Sequence, residues 1–105
     1  MISTHILDTS VGLPAANVAV LLEKKVSTNW AKVGEGRTNS DGRHAFDCPF
    51  ESGDYRLTFM IEDYFQGRES FFLDTSILFR VKDAARKYHV PLLLNPYGLS
   101  TYRGS

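Results

Sequence analysis

The sequence predicts an all-β domain: an antiparallel two-sheet β-sandwich of about eight strands with one short helix. Two observations carry this. Short β-prone runs recur along the chain, each closed by Gly, Pro, Asn or Asp. No segment offers the dozen-residue helices that a parallel α/β sheet would need between strands. A chain of 105 residues forms one domain, 1–105, and is long enough to bury a core without metal or disulfide staples.

The elements follow in order. Ser3 to Thr9 is a first strand, stopped by Val11-Gly12-Leu13-Pro14. Asn17 to Lys25 is a second, with Val18, Val20 and Leu22 on one face and Ala19 and Leu21 on the other. Trp30 to Thr38 is a third, broken by Gly34 and Gly36. Asn39-Ser40-Asp41-Gly42 is a turn in which Gly42 is free to take positive φ. Arg43 to Asp47 leads out of it. Asp54 to Ile61 alternates Tyr55, Leu57, Phe59 and Ile61 against Arg56, Thr58 and Met60. Glu62 to Arg68 is the helix, with acidic residues in its first turn and Gly67 as terminator. Thr75 to Val81 is a strand with Ile77, Phe79 and Val81 on one face. Tyr88 to Leu94 is another, and Pro91 within it predicts an edge or a bulge. Asn95-Pro96-Tyr97-Gly98 turns the chain into a last strand, Leu99 to Arg103.

Composition excludes several function classes. Twelve Lys and Arg balance twelve Asp and Glu. A zero net charge argues against nucleic acid, whose binders carry a basic excess. It also leaves little repulsion to oppose self-association. Cys48 is the only cysteine, so no intrachain disulfide and no Cys-rich zinc site can form. It is expected to be a half-buried structural thiol. No stretch is apolar enough to span a bilayer as a helix, and the opening Met-Ile-Ser-Thr-His-Ile-Leu-Asp lacks the basic and apolar regions of a secretory signal. The expectation is a cytoplasmic protein, or a periplasmic one where a leader has been removed.

Chemistry has few places to reside. His5 shares a strand face with Leu7, and His89 shares one with Pro91 and Leu93. Taken singly, each reads as an ordinary surface or hydrogen-bonded histidine. Converging in a cleft, the two would suit acid–base work, since imidazole titrates near neutral pH. His44 lies on the opposite face from its neighbour Arg43. No close histidine spacing supports a zinc site, so no metal and no cofactor are expected. Arg43, directly after the turn, is either a solvated hairpin flank or a fixed cation for a carbonyl-rich or anionic ligand. The tail Ser100-Thr101-Tyr102-Arg103-Gly104-Ser105 is β-prone to its end, where chain ends usually fray. Either Tyr102 packs its ring on the core, or the tail is held in a site or interface. No nucleophile elbow, P-loop or His-Glu-x-x-His is present, and Gly34-Glu35-Gly36 lacks the third glycine of a dinucleotide fingerprint.

Three blocks together resemble the transthyretin-related proteins. They are Ser3-Thr4-His5-Ile6-Leu7-Asp8-Thr9 with Gly12-Leu13-Pro14-Ala15, then Thr38-Asn39-Ser40-Asp41-Gly42-Arg43, and then Tyr88-His89-Val90-Pro91-Leu92-Leu93-Leu94 with Pro96 to Ser105. The terminal Tyr-Arg-Gly-Ser resembles the 5-hydroxyisourate hydrolase branch. Leu99 departs from the pattern, standing where an aromatic is common. The resemblance implies a prealbumin-like sandwich, a homotetramer built as a dimer of dimers, and a site at the dimer–dimer interface. It implies ring opening of 5-hydroxyisourate in urate catabolism, with no cofactor, metal, nucleic acid or membrane. By that resemblance His5, Arg43, His89 and Ser105 are the catalytic residues, and His5, Arg43, Tyr102 and Arg103 contact substrate. Ser105, with Arg103 and Gly104, would order the tail. The resemblance also admits a hormone carrier using the same channel without chemistry, but that branch lacks the two histidines, the arginine and the terminal motif.

Overall fold

The computed structural model describes residues 1–47 and 51–104. Cys48 and Ser105, each singled out by the sequence, lie outside these residues. Nine strands and one helix lie among those described: β1 (Ile2–Asp8), β2 (Leu13–Pro14), β3 (Ala19–Val26), β4 (Asn29–Arg37), β5 (Arg43–Phe46), β6 (Gly53–Phe59), α1 (Ile61–Tyr64), β7 (Thr75–Val81), β8 (Tyr88–Asn95) and β9 (Gly98–Thr101). One sheet runs β2-β1-β8-β9, with β5 also on β1, and the other runs β4-β3-β6-β7. β5 and β2 share one edge of β1, since β5 faces Ile2 to His5 and β2 faces Leu7 and Asp8.

Period-two patterning builds the core. β1 buries Ile2, Thr4, Ile6 and Asp8 and leaves Ser3, His5 and Leu7 on its outer face. β6 turns in Tyr55, Leu57 and Phe59, and β8 turns in Tyr88, Val90, Leu92 and Leu94. These inner faces meet as the single core of a sandwich.

The structure departs from the sequence reading at identifiable points. The sandwich is not wholly antiparallel, because β1 and β8 pair in parallel from Ile2↔Tyr88 to Asp8↔Leu94. The whole second sheet lies between them in sequence, so the return needs no local crossover helix. Pro91 sits in an interior strand, neither at an edge nor at a bulge. Even-numbered residues of β8 bond to β1, as Tyr88 N–H does to the Met1 carbonyl. Pro91 therefore faces β9, whose pairing stops at Thr101 and resumes only at the His89↔Gly104 bridge. The missing N–H falls in that gap, so no ladder bond is lost. β4 runs on through Gly34 and Gly36, though its register against β3 slips by one residue between Leu22↔Gly34 and Glu23↔Lys32, and a side chain at Gly36 would collide with the His44 ring. Leu13-Pro14, expected only as a stop, adds a two-residue strand to β1. The helix is one turn, Ile61–Tyr64, and Gly67 at φ +84° ends the coil that follows it.

That turn of helix is tied to β1 by a buried carboxylate. Asp8 is 1 % exposed at its side chain. It accepts hydrogen bonds from Tyr64 Oη at 2.7 Å, Arg68 Nη2 at 3.2 Å, and the Ser10 amide at 2.9 Å and hydroxyl. Burial pushes the Asp8 pKa up, but the bonds from Ser10, Tyr64 and Arg68 outweigh it, and the net shift is downward. Burial and the neighbouring carboxylate push Tyr64 up to about 12. A carboxylate whose folded pKa is lowered stabilises the fold fully above the ordinary carboxylate range. That stabilisation is lost as pH falls through the folded value. Asp8→Asn should therefore cost about 2 kcal/mol in urea unfolding at neutral pH. The gap between variant and parent should close under strongly acidic conditions, and a gap that persists there would remove the charge from the explanation.

Candidate functional site

Arg43 owes its position to the turn before it. Asn39 Oδ1 accepts from the Asp41 amide at 2.9 Å and the Arg43 amide at 3.0 Å, and Asn39 N–H donates to the Arg43 carbonyl at 2.9 Å. Gly42 takes φ +75°, and its carbonyl accepts from Ile6 N–H at 2.8 Å. A Cβ at Gly42 would lie 2.5 Å from the Ile6 carbonyl oxygen, so glycine is required both by φ and by the close approach to β1. The buried Thr38 anchors the turn from behind, donating to the Ala15 carbonyl at 2.7 Å and accepting from Val18 N–H at 2.9 Å.

Register then brings three sequence-distant residues onto one face. Arg43 pairs directly with His5 across β5 and β1. Ser3 pairs with His89, and His5 with Pro91, across β1 and β8. His5 and His89 are thus diagonal neighbours on adjacent strands, with backbones within roughly 8 Å. Ser3 Oγ shares a hydrogen bond of 2.8 Å with His89 Nδ1, which leaves Nε2 for a ligand. Burial lowers the His89 pKa, and the charges of Arg43 and His5 lower it further, against a hydrogen bond to the Ser3 backbone that raises it. His44, of opposite parity to Arg43 on β5, stands edge-on to Phe46 at 4.6 Å and also lines the open concavity beside Arg43.

The tail returns onto the same histidine. Gly104 N–H donates to the His89 carbonyl at 2.8 Å. A Cβ on Gly104 would stand 2.5 Å from His89 Cδ2 and 3.2 Å from Pro91 Cγ, so the bare backbone lies against the imidazole. Arg103 places its guanidinium 4.6 Å from the centre of the Tyr88 ring. Tyr102 is 59 % exposed, which removes the alternative of a ring packed on the core.

Two concavities adjoin His89. An open one of about 510 Å³ holds Ser3, Asn39, Arg43 and His89, with His5 beside it on β1. A tighter cleft of about 190 Å³ lies between the sheets at the β7 and β9 edge, against Phe79, Tyr88, Val90 and Tyr102. The first holds the groups able to move protons and bind oxyanions. Among the described residues no three His, Cys, Asp or Glu side chains are gathered to ligate a metal.

The model of the HIUase/transthyretin family matches residues 2–104. The chain belongs to that family. It is 41% identical over 110 residues to the 5-hydroxyisourate hydrolase of Salmonella dublin, covering 100% of this chain and 81% of the relative. Among solved structures, a Klebsiella pneumoniae 5-hydroxyisourate hydrolase is similar with a TM-score of 0.87 and 40% identity, over 99% of this chain and 98% of that one. Transthyretin from Sparus aurata is similar with a TM-score of 0.91 and 27% identity, over 98% and 95%. The prealbumin-like sandwich is thereby borne out, and so is membership of the HIUase/transthyretin family inferred from the three blocks.

Sequence reasoning named His5, Arg43, His89 and the tail, but assigned Ser3 no role. Ser3 has the parity of His5, so alternation alone puts both on one face. What could not be read is that β8 lies beside them. This arrangement makes a prediction about charge. His89 should titrate below the ordinary histidine range in an NMR pH series. Replacing Arg43 with Gln removes a repelling cation and should raise that midpoint. A midpoint unmoved by Arg43→Gln would mean that the two side chains do not face one concavity.

Proposed function

We propose that the face shared by β1, β5 and β8 hydrolyses 5-hydroxyisourate, the reaction for which similar proteins at about 40% identity are named. The observation that carries this reading is the meeting of His5, Arg43 and His89 on that face. Water attacks a ring carbonyl and the adjoining C–N bond opens. The product is 2-oxo-4-hydroxy-4-carboxy-5-ureidoimidazoline, an intermediate of urate catabolism.

Each role has a physical reason. His89 has a lowered pKa, so it stays neutral at physiological pH and can take a proton from the attacking water. Its Nδ1 is engaged by Ser3, which fixes the ring and directs Nε2 to the water. Arg43 offers a planar fork of donors to the carbonyl oxygens and to the oxyanion that develops on attack. His5, opposite Arg43, supplies the proton to the leaving nitrogen. Tyr102 reaches substrate from the tail. Arg103, stacked on Tyr88, and Gly104, bonded to His89, hold that tail in place, and Ser105 completes it. Position and proton transfer suffice for a substrate that also decays unaided.

We further propose that four copies assemble as a dimer of dimers, closing the site from water. The open concavity, the zero net charge, and β7 and β9 as the edge strands of their sheets support this.

The test is the ultraviolet decay of 5-hydroxyisourate freshly made from urate by urate oxidase. The protein should speed the decay, and His5→Ala, Arg43→Ala and His89→Ala should each cut kcat by about a hundredfold or more while leaving the melting temperature nearly unchanged. Full turnover in any one variant would remove that residue from the mechanism. Activity should also hold as pH falls until His89 is protonated, below the ordinary imidazole range. Deleting residues 102–105 should cripple turnover more than folding.

A further inference from the structure

The cations of this neutral chain are not spread evenly. Lys24, Lys32, Arg56, Arg68 and Arg80 each meet a carboxylate. Arg37, Arg43 and Lys87 all line the open concavity of about 510 Å³, and no Asp or Glu lines it with them. Among the described residues none of these three is paired with a carboxylate. Arg37 Nη1 donates to the Asn17 backbone carbonyl at 3.1 Å, which aims the side chain without neutralising it. Asp41 in the turn and Asp47 beyond β5 are exposed and lie outside the lining. Arg37 closes β4 in the second sheet, and Lys87 immediately precedes β8 in the first. The concavity is therefore flanked by positive charge from both sheets, around His44 and His89.

We infer that Arg37 and Lys87 form, with Arg43, a cationic rim that admits the substrate as an anion. This rests on the hydrolase reading of the same site. The ring proposed as substrate carries several carbonyl groups next to acidic N–H and O–H groups, so loss of a proton spreads negative charge over the oxygens. Water adds to the carbonyl carbon, the C–N bond breaks, and the carboxyl group formed ionises. An anion thus enters, an oxyanion forms and an anion leaves. A potential shaped by converging cations raises the local concentration of such a ligand without touching the reacting atoms. Arg37 and Lys87 consequently belong to binding, and His5, Arg43 and His89 to the chemical step.

The experiment is equilibrium binding of urate, as the monoanion, by calorimetry at low and at high sodium chloride. The Arg37→Gln/Lys87→Gln double variant should bind urate about fivefold more weakly than the parent at low salt. The parent should lose at least a similar factor on adding salt, and the double variant should lose distinctly less, because of the rim only Arg43 remains to be screened. In turnover of 5-hydroxyisourate the loss should fall on KM rather than on kcat. A control pair on the second sheet, Lys25→Gln/Lys32→Gln, removes the same net charge and should leave urate affinity within about twofold of the parent. Equal affinity in parent and double variant, an equal loss in the control pair, or no saturable urate binding by the parent would each overturn the rim. Urate binding that follows these expectations in a protein that does not turn over 5-hydroxyisourate would instead sink the hydrolase reading and leave the rim standing.

Discussion

The parallel pairing of β1 with β8 is the constraint on which the rest of the molecule depends. It joins the first strand to the penultimate one over seven residues, from Ile2↔Tyr88 to Asp8↔Leu94. Side-chain bonds reinforce it, with Thr4 Oγ1 donating to the Val90 carbonyl at 2.6 Å inside the core. Strand parity then leaves no freedom. If Ile2, Ile6, Val90 and Leu92 go in, Ser3, His5 and His89 must come out on one surface. A slip of one residue would bury the imidazoles and expose the core, so the register that stabilises the sandwich also composes the site.

Two features of the primary structure make that surface usable. Asn39 and Gly42 bend the chain so that Arg43 arrives opposite His5. Pro91 has no N–H to offer β9 just where β9 stops at Thr101, and the freed chain carries Tyr102 and Arg103 out before Gly104 pairs with His89. The proline that seemed to place β8 at an edge is compatible with the sheet interior because the neighbouring ladder is interrupted there. The same interruption gives the tail room to fold back over the imidazole.

Much of this was legible in the residue order, and the remainder had a physical reason to be hidden. Period-two alternation marked the faces of β3, β6 and β7, and Asn39 to Gly42 marked the turn. Local patterning carries no information on which strand lies beside which, so the parallel partner of β1 and the hydrogen bond from Ser3 to His89 were not visible. Gly34 and Gly36 look like breakers in a linear reading. In three dimensions Gly36 makes room for the His44 ring, contributed by the other sheet. The imbalance of charge around His89 was masked by a net charge of zero, since Arg37, Arg43 and Lys87 are scattered along the chain and gather only on folding. The tail motif pointed to a held terminus, and the contact of Gly104 with His89 gives that its form.

The measurement that tests the central claim most directly is a crystal structure of the protein with bound urate. The account predicts the ring in the open concavity, its carbonyl oxygens on the Arg43 guanidinium and its plane within hydrogen-bond reach of His5 and His89. Urate seated instead in the narrow cleft between Phe79, Tyr88 and Tyr102, with Arg43 and His5 untouched, would contradict it.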